Sequence, residues 1–194
     1  MILYTVVPCY NEEDALPETV RILSDKYFTL MRKGMISEES RILLVDDGSS
    51  DDTWNMIREY HDKKPIFCGL KLSRNRGHQN ALYAGLMAAA PHCDAAISID
   101  ADLQDDVDAI DQMIVKFDDG YDIVYGVRNK RDSDRFMKRF TAEGYYKIMR
   151  LCGAQIIFNH ADFRLMSRRA IEALSEFEEV NLFLRGMVPM IGYK

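Results

Sequence analysis

Four carboxylates, Asp100, Asp102, Asp105 and Asp106, fall within seven positions of the stretch "ISIDADLQDD", at the end of an apolar run. A strand interior cannot hold unpaired carboxylates, because desolvating each one costs more than packing returns. These side chains are therefore expected to project from a strand end toward water, a cation or a ligand. In an extended segment Asp100 and Asp102 point the same way and Gln104 continues that face, giving two anionic oxygens and one neutral oxygen in a row. Hard divalent cations take such ligands. Mg²⁺ or Mn²⁺ binds one or two carboxylates and completes its octahedron with water and the phosphate oxygens of a substrate, which favours a metal that bridges to a diphosphate. An EF-hand fails on spacing: a loop begun at Asp100 has Asp105 where glycine is needed and Asp111 where glutamate is needed. A dinucleotide-binding glycine motif fails too, since "PCYNEE" stands after the first apolar run.

The elements that must hold these residues alternate along the chain. Apolar, β-branched runs at "ILYTVV", "RILLVD", "FCGLKLS", "AAISID" and "DIVYGV" read as strands. Between them, "ALPETVRILSDKYF", "TWNMIREYH", "HQNALYAGLMAAA" and "VDAIDQMIVKF" carry apolar residues at helical spacing. The pattern predicts an α/β fold, one domain over residues 1–194, with a mainly parallel twisted sheet and helices on both faces. Asn11 and Ser49 or Ser50 are expected to cap the first two helices. Ligands of such sheets sit outside the carboxyl ends of the strands. Those ends read "PCYNEE", "DDGSSDD", "SRNRGHQ", "DADLQDD" and "GVRNKR", so carboxylates and arginines converge on one rim.

Composition narrows the function classes. The 194 residues are 47% hydrophobic, enough for a sizeable core, and carry a net charge of -6, which argues against coating nucleic acid through a general positive field. Cys9, Cys68, Cys93 and Cys152 contain no C-x-x-C pair and read as reduced, mostly buried thiols. No apolar run approaches the ~20 residues that span a bilayer, so the chain as given is expected to be soluble. Residues 128–150 stand apart, with eight Lys or Arg against three acidic residues and apolar residues at helical spacing. That stretch reads as an amphipathic helix whose cationic side is either solvated or laid against anionic lipid headgroups. Nucleic acid is not expected there, because no aromatic residues are arranged for stacking on an exposed sheet face.

Taken together and in order, "VVPCYNEE", "LLVDDGSSDDT", "LSRNRGHQNALYAGL", "SIDADLQDD" and "ADFRLMSR" resemble the family-2 inverting glycosyltransferases of the polyprenyl-phosphate branch, which includes the bactoprenol glucosyltransferases and dolichol-phosphate mannosyltransferases. The resemblance covers essentially the whole chain. It implies a GT-A-like fold and a metal-dependent transfer of a hexose from a nucleotide sugar, UDP-glucose first, to a polyprenyl phosphate. By the same resemblance, Pro8, Tyr10 and Glu12 match the loop that holds the nucleotide, and Asp46 and Asp47 match the acidic pair that reads base and ribose. The loop with Gly77 and His78 would close over the nucleotide. Asp100, Ala101 and Asp102 would face the nucleotide sugar, with Asp100, Asp102 and Gln104 as the Mg²⁺ or Mn²⁺ site. Asp162 matches the family's proposed general base, and Arg164 is expected to orient it through a bidentate pair. Arg128 and Arg131 would receive the donor diphosphate and the acceptor phosphate, with Arg185 added to the phosphate set and Arg128 also counted as catalytic. A phosphate monoester with a second pKa near ~6 is mostly dianionic at pH 7, so two roles stay open for Asp162: proton acceptor, or orienter of sugar or acceptor.

Relatives of this branch usually continue past "IGYK" with an arginine-containing loop and two membrane-spanning helices. The resemblance therefore implies a catalytic core that in its longer form works in the cytoplasm at the inner face of the membrane. It also implies that the core alone transfers poorly to the lipid. Self-association is open. Three alternatives carry different chemistry: a family-2 transferase with a saccharide acceptor, a non-catalytic nucleotide-sugar or membrane-surface binding module, and an aspartate-based phosphatase. The last would place its nucleophile after the first strand, where "PCYNEE" offers none in that arrangement.

Overall fold

The structure is a computed structural model that describes residues 1–127, 160–177 and 183–194. Its strands are β1 Leu3–Cys9, β2 Arg41–Asp46, β3 Phe67–Lys71, β4 Ala95–Ser98, β5 Ile123–Val127 and β6 His160–Ser167. The helices are α1 Leu16–Arg32, α2 Thr53–Lys63, α3 His78–Ala89, α4 Ala109–Asp118, α5 Arg168–Ser175 and α6 Leu184–Met190. The strands form one sheet in the order β3-β2-β1-β4-β6-β5. β1 to β4 run parallel, as the alternating pattern predicts, and β6 is inserted antiparallel between β4 and β5. β6 is not among the strands that the apolar pattern predicts. Its run "HADFRLMS" is broken by Asp162 and Arg164, which are both buried on the strand and meet each other there, so its polarity hides its burial.

Successive strand residues feed two cores. Val7, Ile42, Leu44 and Ile97 pack with α1, α2 and α4 on one face, while Val6, Leu43, Val45 and Ala96 pack with α3, α5 and α6 on the other. Burial on both faces is why these strands read as near-continuous apolar runs. α1 shows the logic of a single helix. Leu16, Val20, Leu23, Tyr27 and Leu30 form its buried stripe, and the hydroxyl of the fully buried Tyr27 hydrogen-bonds Thr5 Oγ1 at 2.7 Å. Pro17 opens the helix, where its missing N–H is not needed. Gly34, at φ 69°, closes it, with the Gly34 and Met35 amides donating back to Met31 and Leu30.

Two expected helix caps are overturned. The N-cap positions of α1 and α2 are Ala15 and Asp52, neither of which makes a side-chain cap bond. Asn11 sits earlier, in the left-handed region at φ 54°, and together with Ser49 and Ser50 it bonds across to the neighbouring loop. Tertiary pairing has claimed side chains that local chemistry offered to the helices. Of the cysteines, Cys9 and Cys93 are buried and Cys68 is partly so, all three as free thiols, in line with the reduced state expected. Burial raises the Cys9 thiol far above its ordinary range and pushes Cys93 up to about 12, which leaves both unreactive. Among the described residues no helix is long and apolar enough to cross a membrane. Arg128, Arg131, the basic stretch 128–150, Cys152 and the side chain of Arg185 lie outside the described residues.

Candidate active site

The parallel strands deliver their carboxyl ends to one rim, and the loops there are stitched to one another. After β1, the Asn11 amide donates to Ser49 Oγ at 3.0 Å and the Asn11 side-chain oxygen accepts from the Ser50 amide at 2.9 Å. The Glu12 amide donates to Thr53 Oγ1 at 2.9 Å, and the Glu13 amide donates to Asp51 at 3.2 Å. Pro8 is buried in the sheet, whereas Tyr10, on the loop that follows, is 46% exposed.

Asp46 and Asp47, at the end of β2, are both buried but differently occupied. Asp47 accepts the Arg76 amide at 2.7 Å and the Gly77 amide at 2.8 Å, so its carboxylate holds the loop that leads into α3. Asp46 Oδ1 accepts from the Ser49 amide at 3.1 Å, whereas Asp46 Oδ2 has no hydrogen-bond donor among the described residues and has Lys71 Nζ at 4.0 Å. Gly48 lets the two loops touch. A Cβ there would lie 2.5 Å from the Arg74 backbone, and the residue's φ of +71° is one that side chains disfavour.

Beyond β4 the chain does not stay extended. Leu103 adopts φ 47° and its amide donates to the Asp100 carbonyl at 3.2 Å, so residues 100–103 make a turn. The single face expected of Asp100, Asp102 and Gln104 is thereby replaced. Asp102 is exposed and accepts from the Gln104 amide at 3.2 Å, while Asp105, expected at the surface, is buried. Thr19 Oγ1 donates to the carbonyl of Ala101 and pins this turn to α1. Lys26, whose side chain is only 9% exposed, bridges Asp108 and Asp111 and ties the start of α4 to the same helix. Glu12 faces the acidic loop. Its carboxyl is raised above the usual range, first by burial and then by the charges of Asp102, Asp51 and Asp100. Among the described residues no three His, Cys, Asp or Glu side chains already form a metal cage.

His78, the first residue of α3, stands between the two halves of the rim. Its Nε2 lies 2.9 Å from Asp100 Oδ1 and its Nδ1 lies 3.9 Å from Asp162 Oδ2. Asp162, on β6, is 4% exposed and Arg164 is 1% exposed. They meet through Arg164 Nη2 and Asp162 Oδ1 at 3.3 Å, a single-pronged contact where the sequence reading expected two prongs. Ser98 Oγ on β4 donates to the Asp162 carbonyl, which fixes that residue's backbone. Gln79 Nε2 donates to Asp162 Oδ2 at 3.2 Å. Gln79 is not among the residues expected at the site, although its place directly after His78 on a helix start is a signal for it.

The rim thus gathers Tyr10, Glu12, Asp46, Asp47, Gly77, His78, Asp100, Asp102 and Asp162 from five loops and strands. A separate groove of about 940 Å³, lined by residues including Phe28, Arg32, Arg41, Lys63, Lys64 and Ile66, lies at the opposite end of β2 and contains none of them. The acidic rim can hold a hard cation, and the buried Asp46 and Asp162 can accept hydrogen bonds from a ligand that reaches them.

Residues 4–175 match the sequence model of Glycosyl transferase family 2. The chain is 50% identical over 193 residues to "Uncharacterized glycosyltransferase YkoT" of Bacillus subtilis, covering 100% of this chain and 57% of that protein. It is 37% identical over 196 residues to "Bactoprenol glucosyl transferase" of Shigella phage SfV, covering 99% of this chain and 60% of that one. Among solved structures, a mannosyltransferase from Pyrobaculum calidifontis in complex with GDP-Man and Mn²⁺ superposes with a TM-score of 0.63 at 19% identity, over 99% of this chain and 53% of that one. The fold is accordingly GT-A-like, and the chain spans a little over half the length of the relatives it matches.

Proposed function

The chain belongs to glycosyl transferase family 2, and from that premise we propose that it transfers a hexose from a nucleotide sugar to a polyprenyl phosphate with inversion at the anomeric carbon, UDP-glucose being the first donor to test. The observation that carries this reading is the convergence of Glu12, Asp100 and Asp102 on one rim at the strand ends, where burial first and then the charges of Asp102, Asp51 and Asp100 raise the Glu12 carboxyl. A nucleoside diphosphate is itself an anion, so it enters such a rim only with a divalent cation between. Although the turn at 100–103 replaces the extended face expected of them, Asp100 and Asp102, with Gln104, would still offer oxygen ligands to Mg²⁺ or Mn²⁺, a cation that needs one or two carboxylates and no complete protein cage. Bound there, the cation would neutralise charge on the departing diphosphate as a Lewis acid.

The chain's own residues divide the remaining work. Asp46 offers its undonated oxygen to a base or ribose N–H or O–H, and Tyr10 offers a face beside it. Asp47 holds the loop with Gly77 and His78 against the nucleotide, where the amino end of α3 favours negative charge. Asp162 faces His78 from the other side and would orient the acceptor or take its proton, its charge stabilised by Arg164. Arg128, Arg131 and Arg185 are proposed for the phosphates, and the basic stretch 128–150 for an anionic membrane surface. The bactoprenol relatives support the lipid acceptor, and "in complex with GDP-Man and Mn²⁺" in the structural neighbour supports the metal. A saccharide acceptor is the second reading, since fold likeness does not select among acceptors.

A thermal-shift panel of UDP- and GDP-sugars with and without Mn²⁺ tests donor and metal together. A ligand at a hundredfold excess over its Kd stabilises by about 2.7 kcal/mol, or roughly 5–10 °C for a chain of this size. The expected result is a shift of that order with one nucleotide sugar plus Mn²⁺ and a much smaller one with either alone. Flat melting across the panel would contradict the reading.

A further inference from the structure

We propose that Gln79 is a positioning residue that ties the orientation of the Asp162 carboxylate to the seating of α6. The inference rests on the transferase reading only for its effect on turnover. The two ends of the Gln79 side chain reach the two ends of this link, and its Nε2 also lies 3.4 Å from His78 Nδ1. Its Nε2 donates to Asp162 Oδ2 at 3.2 Å, and its Oε1 accepts the amide of Leu184, 105 residues further on, at 3.3 Å. The two partners fix which way the amide faces. Turned over, its oxygen would meet the carboxylate and its NH₂ would meet an N–H, so both contacts would become repulsive.

Each partner needs what Gln79 supplies. Leu184 is the first residue of α6, where the early N–H groups have no partner within the helix, and Phe183 at the N-cap position makes no side-chain cap bond. Gln79 therefore acts as a capping acceptor supplied by α3. α6 is seated by Leu184, Met187 and Val188, which join the same core as Ala81, Leu82 and Leu86 of α3. On the other side, Arg164 donates to Asp162 Oδ1 and Gln79 donates to Oδ2, with His78 Nδ1 3.9 Å from the same Oδ2, so Gln79 is one of the groups that orient the carboxylate. Arg164 belongs to the same strand as Asp162 and moves with it. Gln79 brings in a separate helix, so the position of α6 reaches Asp162 by way of Gln79. If α6 lifts, Gln79 Oε1 loses its donor, the amide is free to turn, and the hold on Oδ2 weakens.

Three variants test this: Gln79→Met, which keeps length and apolar stem but makes neither bond; Gln79→Glu, which keeps an acceptor for Leu184 but sets a second carboxylate beside Asp162; and Asp162→Asn. The first measurement is hexose transfer from UDP-glucose to polyprenyl phosphate with Mn²⁺, alongside donor affinity by calorimetry. Gln79→Met is expected to lower kcat about 10–100-fold, the scale of a displaced reacting group, with donor KM and affinity little changed. Gln79→Glu is expected to fall further. The second measurement is hydrogen exchange of the amides in residues 184–190. Gln79→Met should speed it, and Asp162→Asn should change it when Gln79 is present but not in the Gln79→Met background, because coupling through one residue vanishes with that residue. Exchange needs no turnover. A wild-type protein that binds the donor but transfers no hexose would count against the lipid-acceptor reading, and the exchange result would still decide the link. Unaltered exchange in Gln79→Met, or wild-type kcat in that variant of an active enzyme, would overturn the proposal.

Discussion

Replacing Arg164 by Leu is expected to cost about 3–5 kcal/mol, the usual penalty for breaking a buried ion pair from one side. The reason lies in the burial of both partners: Arg164 is 1% exposed and Asp162 is 4% exposed, so the carboxylate left behind can neither reach water nor find its guanidinium. For a chain of this length the melting temperature should fall by roughly 6–20 °C. Asp162→Asn keeps shape and removes the charge more gently, and is expected to cost less stability but about 10²-fold or more in turnover, with donor affinity nearly intact. Denaturant melts of both variants, with single-turnover transfer for the second, separate the structural part of the pair from the chemical part. An Arg164→Leu protein as stable as the parent would mean that the pair contributes nothing to the fold. Near-normal turnover in Asp162→Asn would favour an orienting role over proton transfer.

The second large effect is expected at Asp102. Asp102→Ala should remove the Mn²⁺-dependent part of nucleotide-sugar binding, while the melting temperature of the ligand-free protein stays where it was. Asp102 is exposed, and its hydrogen bond goes to the amide of Gln104 two residues away, so no core packing depends on it. Calorimetric titration of UDP-glucose with and without Mn²⁺ gives the answer. Metal-dependent affinity equal to that of the parent would take Asp102 out of the cation site.

Much of this arrangement is legible in the residues themselves. The five apolar runs became β1 to β5, the helical periodicities became α1 to α4, and the acidic motifs and the "SRNRGHQ" loop landed on one rim because parallel strands end together. What escaped was decided partly by contacts between distant segments and partly by local pairings that the residue types do not announce. β6 carries a buried Asp–Arg pair that reads as polar until its two members are seen to satisfy each other. Asn11 and the serines at 49 and 50 have the composition of helix caps but bond across two loops instead. The turn at 100–103 depends on Leu103 taking a left-handed conformation, which nothing in a leucine announces. Asp46 and Asp47 are adjacent and chemically identical, yet only the fold gives one of them two loop amides and leaves the other an oxygen without a donor.

The most direct measurement of the central claim is mass spectrometry of the lipid after incubating the protein with UDP-glucose, Mn²⁺ and polyprenyl phosphate in detergent, with the anomeric configuration of the product read by NMR. The expected product is a polyprenyl phosphate bearing one added hexose, its configuration inverted relative to the donor, formed slowly and abolished by Asp102→Ala. Free hexose alone, or a product that retains the donor's configuration, from a protein that binds the donor would contradict it.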